Sequence, residues 1–156
     1  MVCCQLYDQE KNVAGGYMKY RKIASTYVVR IDRGEEIISQ LKKVCEENQI
    51  RLGRISGIGA VNKAVVGFFD SQEKKYHSRL LSGDHEITSL LGNITTMDQS
   101  IYLHCHINLA DAGQQTFSGH LNEGWVSATC EVIIEQFDGE INRRYDETSG
   151  LNLLDL

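Results

Sequence analysis

The sequence predicts an α+β fold in one domain, built on a mostly antiparallel or mixed sheet. Three observations carry that prediction. The chain has 156 residues, enough for one core and too few for two comfortable ones. One stretch alone repeats its apolar residues at helical spacing, and a long succession of strand-like runs follows it. A strand region, one helix and then many strands is the order of such a sheet.

Residues 1–14 read as a variable leader and 15–156 as the domain. From Gly15 to Ile31 the chain turns β-like, with Tyr17, Tyr20, Ile23, Tyr27, Val28, Val29 and Ile31. Then Ile37, Ile38, Leu41, Val44 and Cys45 form an amphipathic stripe that predicts a helix over about Gly34 to Asn48. Asp32 followed by Glu35 resembles a capping box, and acidic residues in the first turn suit the helix dipole. Beyond Gln49, strands are predicted over Ile50–Ile58, Asn62–Asp70, Glu86–Thr95, Gln99–Leu109, Gln114–Leu121 and Gly124–Ile134. Gly57-Ile58-Gly59 begins like a phosphate loop but leads into a strand, so it predicts a bend or bulge and no nucleotide cofactor. The apolar tail, Ser149 to Leu156, is expected to pack on its own domain or on a neighbouring subunit.

Sixteen basic against 21 acidic side chains give a net charge of −5, which disfavours a general phosphate-backbone binder. Compact basic pairs include Lys42-Lys43, Lys74-Lys75 and Arg143-Arg144. No run approaches the ~18 apolar residues of a membrane span, and the first residues lack the apolar core of a signal peptide. Five irregularly spaced cysteines point to reduced thiols, so a cytoplasmic location is expected.

Three of the five histidines fall in one short segment, at His104, His106 and His120. On a strand, His104 and His106 share a face while Leu103, Cys105 and Ile107 take the other, which makes Cys105 a poor ligand. Thirteen residues separate His106 from His120, room for a turn near Ala110-Asp111-Ala112-Gly113 and a returning strand. Three neutral imidazoles with an open fourth position can hold zinc or another divalent transition metal. Spacing alone leaves a second reading equally open: half-buried sheet histidines bonded to backbone or carboxylates. Glu86, beside His85, and Glu123 are the candidate catalytic proton carriers for an enzyme at such a site.

Five ordered blocks then show a resemblance. They are Arg54-Ile55-Ser56-Gly57-Ile58-Gly59-Ala60-Val61, Glu86 to Ile94, Leu103-His104-Cys105-His106, Gly119-His120-Leu121 with Glu123-Gly124, and Thr129-Cys130-Glu131-Val132. From about Tyr27 onward the chain resembles the plant and prokaryote conserved domain, in its stand-alone prokaryotic form. The resemblance implies a mixed, largely antiparallel sheet with flanking helices, assembled as a homotrimer, with a metal, zinc, at His104, His106 and His120. For such a site the expected role is a regulatory or ligand-binding one, with a metal-dependent enzyme acting on a small carbonyl or carboxylate substrate as the alternative. A DNA-binding label also travels with the family through plant relatives that carry an AT-hook; this sequence has no proline and so lacks that Arg-Gly-Arg-Pro element. Ser118 stands where the family pattern has the first glycine of a Gly-Gly-His run.

Overall fold

The computed structural model describes residues 9–12 and 18–156. The described part of the expected leader is strand β1 (Gln9–Asn12). Cys3, Cys4, Gly15 and Tyr17 lie outside the described residues.

β1 is followed by β2 (Lys19–Ile23), β3 (Thr26–Asp32), α1 (Ile37–Glu47), β4 (Gly53–Asp70), β5 (Lys75–Met97), β6 (Ser100–Ala110) and β7 (Thr116–Gln136). The hairpin β8 (Arg143–Asp146) with β9 (Leu151–Leu154) completes the chain. Seven strands form one sheet in the order β1-β2-β3-β7-β4-β5-β6, and an extra β7–β6 pairing closes β4, β5, β6 and β7 into a ring. Every ladder is antiparallel. Among the described residues parallel pairing is confined to the isolated bridge Thr96–Asn142, so the mixed alternative is not realised there. Among the described residues α1 is the one α-helix, where flanking helices were expected. The physical reason is plain in the sequence: only Ile37 to Cys45 repeats at helical spacing, and other apolar segments alternate as half-buried strands do.

The helix lays Ile37, Leu41, Val44 and Cys45 against the inner face of the sheet, where Ile55, Leu90, Ile94, Ile107, Leu109, Val132 and Ile134 are buried. Complete burial of a side chain such as Leu41 contributes about 2–3 kcal/mol. The cap differs from the expected one. The N-cap is Glu36, whose carboxylate accepts from the N–H groups of Ile38 and Ser39 at 3.0 and 2.7 Å and from Gly124 N–H at 3.0 Å. The Asp32–Glu35 contact does form: Glu35 Oε2 accepts from Asp32 N–H at 2.8 Å, while Oε1 accepts from Met18 N–H at 3.1 Å. It stabilises the turn before the helix, because the helix begins at Ile37 and has no acidic residue in its first turn.

Two predicted pairs of strands are continuous. β4 runs through the expected break at Gly59-Ala60-Val61, and β7 runs through Asn122-Glu123. Register shifts at Gly57/Gly59, Val61/Lys63 and Val65/Val66 reset the inside-outside alternation within them, which makes one bent strand read as two. Gly59, at φ +153°, lets β4 pass so close to Thr129 O that a Cβ would collide with it. The first half of β5, Lys75 to Leu80, carries no apolar alternation and is exposed, yet it pairs with β4 from Val65 to Asp70.

Candidate metal centre

The site is built on the ring closure. β6 places Cys105, Ile107 and Leu109 in the core, so His104 and His106 point to the opposite face. β7 returns antiparallel after the turn at Asp111–Gln115, where Gln114, at φ +61°, donates its N–H to Asp111 O at 2.8 Å. That register sets His120 directly across from His106. On its other side His120 pairs with Gly67 of β4. Gly119 allows this approach, since a Cβ there would lie 2.6 Å from Gly67 O. Ser118, by contrast, is exposed, so the serine meets no steric obstacle there.

The ligand atoms of His104, His106 and His120 all lie within 4.8 Å of one another. Ring centroids are 5.2 Å apart for His104–His106 and His104–His120, and 5.7 Å for His106–His120. Tetrahedral zinc at ~2.05 Å from each nitrogen needs separations of about 3.3 Å, so small ring rotations would bring the donors onto one ion. Among the described residues no hydrogen bond occupies any of the three rings. Burial, followed by the fields of His120, Arg143 and His106, pushes His104 down to about 4. Burial and His106 lower His120 as well. Both rings are therefore neutral at pH 7, the form that donates a lone pair to a metal.

Two walls flank the rings, and sequence reasoning found neither. On the His120 side, Tyr76 lies across Gly67, where a Cβ would strike its hydroxyl. Its ring stands edge-on to His120 at 6.3 Å and its hydroxyl donates to Asn122 Oδ1 at 2.7 Å. On the His104 side, the buried Arg143 donates to Thr95 Oγ1, Asn93 Oδ1 and Asn152 O at 2.8–2.9 Å and packs over Tyr102 at 4.9 Å. Asn93 is the cross-strand partner of His104, and Thr95 of Tyr102. Nothing in the sequence marks Tyr76, and Arg143 reads there as half of a compact basic pair.

The candidate carboxylates stand apart from this cluster. Glu86 pairs with Ala110 at the far end of β6 and, with Asp84 and Asp111, lines a polar cavity of about 500 Å³. Leu91, the β5 partner of His106, is five residues farther on, roughly 16 Å along a strand. Glu123 is exposed on β7 opposite Val65. Neither belongs to the group of side chains that could hold a metal. His85 is buried in a strand, with Nδ1 2.7 Å from Gly83 O. The thiols of Cys45, Cys105 and Cys130 are buried, unpaired and pushed up to about 12 by burial above all, which makes them inert.

A family model described as the Plants and Prokaryotes Conserved (PCC) domain matches residues 18–138. The chain belongs to that family. Among solved structures, this PCC domain is similar to a candidate DNA-binding protein from Bacteroides thetaiotaomicron, at 33% identity and a TM-score of 0.86, over 88% of this chain and 96% of that one. It is also similar to a metal-containing protein from Archaeoglobus fulgidus, at 34% identity and a TM-score of 0.80, over 85% and 94% of the two chains. The curated relatives it matches are bifunctional GlmU proteins of two Synechococcus strains, 25% identical over 127 residues. The chain spans about a fifth of their length, 19% of each. None of the described helices is long and apolar enough to cross a membrane.

Proposed function

We propose that this PCC domain binds one divalent transition metal, zinc, through His104, His106 and His120, and leaves a fourth position open to water or a small ligand. The observation that carries the reading is the gathering of three uncommitted imidazoles from two paired strands within 4.8 Å. The metal-containing relative from Archaeoglobus fulgidus supports it. Bound zinc would act as a Lewis acid and lower the pKa of its water. The chain's own part is to present three lone pairs on a rigid ladder, with Tyr76 and Arg143 limiting access from two sides.

The working form is a homotrimer in the reducing cytoplasm, in keeping with three unpaired buried thiols. Exposed Val28, Ile58, Leu91 and Ile133 line an open groove of about 590 Å³ on the outer face of the sheet. Because Leu91 is the cross-strand partner of His106, a subunit seated there would border the metal site. A ligand-binding or regulatory role fits this site better than catalysis, since Glu86 and Glu123 lie outside the ligand cluster. DNA binding, suggested by the name of the Bacteroides relative, is opposed by the net charge of −5. Arg143 is buried, Arg144 pairs with Asp155 at 3.1 Å, and Lys42 lies 3.9 Å from Glu46. Retardation of A·T-rich duplex at low salt that disappears as salt rises would restore that reading.

The test is elemental analysis of tag-free protein after incubation with zinc and removal of excess, beside a variant carrying His104→Ala, His106→Ala and His120→Ala. About one zinc per chain in the native protein and none in the variant is the expected result. Equal metal in both would refute the site.

A further inference from the structure

We propose that Arg143 makes the open position of the three-histidine site selective for a small carboxylate anion, an inference that rests on the metal reading above. Arg143 is 7% exposed, and among the described residues no carboxylate lies within ion-pair distance of it. Its three hydrogen bonds all go to neutral acceptors, the Thr95 hydroxyl, the Asn93 side-chain carbonyl and the Asn152 backbone carbonyl. A guanidinium has five N–H donors, so two remain uncommitted. A permanent charge held in the protein without a counter-ion is costly unless an anion answers it.

The place of that charge gives it meaning. Asn93 is the cross-strand partner of His104, so the guanidinium bonded to Asn93 sits one side chain from a metal ligand and on the ligands' face of the sheet. Tyr102, two residues before His104 on the same face, packs beneath it. The ligand set itself carries no negative charge, being three imidazoles with no carboxylate among them. A divalent ion beside Arg143 would thus bring together three positive charges and no compensating one, and an anion in the fourth position relieves both. A carboxylate suits that place, because one oxygen can meet the metal while the other accepts from a planar N–H fork. Tyr76 on the opposite side limits the room, which favours a small acid over a polymer.

Cobalt(II) in place of zinc gives a visible spectrum that reports its coordination, and the cobalt-loaded protein can be titrated with acetate and with acetamide, a neutral molecule of nearly the same shape. The proposal expects saturable spectral change with acetate and none with acetamide at the same concentrations. Arg143→Gln should retain cobalt but need at least tenfold more acetate, and Arg143→Lys, which keeps the charge, should fall between. Equal responses to acetate and acetamide would overturn the proposal even if Arg143→Gln failed to fold. So would unchanged acetate affinity in a cobalt-bearing Arg143→Gln protein. A native protein that takes up no cobalt would instead sink the metal reading, and this inference with it.

Discussion

His104 shows how much a neighbourhood can do to one side chain. Its ring resists protonation because burial, His120, Arg143 and His106 all disfavour the charged form, and its pKa falls from 6.5 to about 4. In the unfolded chain the ring regains its ordinary value, so between those two pH values the unfolded state binds more protons than the folded one. Metal-free protein should therefore lose stability as pH falls from about 6.5 toward 4, with little further loss from this group below. Urea denaturation at pH 7.5 and 4.5 checks this, and His104→Gln should lose less on acidification than the native chain; parallel losses would show that His104 is not the group responsible. The alternation that puts His104 and His106 on one face and Cys105 on the other was legible in the sequence, because a strand allows only two faces. Tyr76 was not legible, because its place depends on Gly67, nine residues earlier on the neighbouring strand, and no local pattern reports such a contact.

At the scale of elements, α1 could be read because its stripe is local: Ile37, Leu41, Val44 and Cys45 all enter the core as the periodicity requires. Its start could not, since Glu36 is the cap partly through a bond to Gly124, far away in sequence. Glu36→Ala removes one acceptor shared by three N–H groups and should cost about 1–2 kcal/mol in chemical denaturation. Destabilisation below a few tenths of a kcal/mol would mean that water replaces the cap. The long strands were misread for a related reason. A bulge moves every later residue to the other face, so β4 seems to stop at Gly59 when it only bends. Gly59→Ala should destabilise the fold by roughly 2–4 kcal/mol, since it combines backbone strain at φ +153° with a collision against Thr129 O. A neutral effect in thermal or urea unfolding would show that the bulge can relax. The exposed half of β5 carries no core-facing side chains, and strand pairing alone leaves no mark on composition.

The whole molecule presents one face on which the histidines, Arg143 and an apolar patch meet. Ile58 and Leu91 are 59% and 58% exposed, which is costly for a surface that stays in water. In a homotrimer these side chains would be covered. Ile58→Asp with Leu91→Asp should then reduce the mass measured by light scattering from about three chains to one, while the fold, whose core holds neither residue, persists. A native protein of single-chain mass would contradict the assembly without touching the metal site. The balance of legible and hidden follows the range of the interactions: the family blocks and the His-x-His lie on single strands, whereas the pairing of His120 with Gly67 and the bonds of Arg143 to Asn93 and Thr95 join residues 48 or more positions apart.

Anomalous diffraction at the zinc edge from zinc-soaked crystals decides whether His104, His106 and His120 hold one metal ion. One strong peak per chain is expected, about 2.0–2.1 Å from a nitrogen of each ring, with non-protein density at the fourth position. An empty cluster, or a peak bound elsewhere while these three rings remain apart, would contradict it.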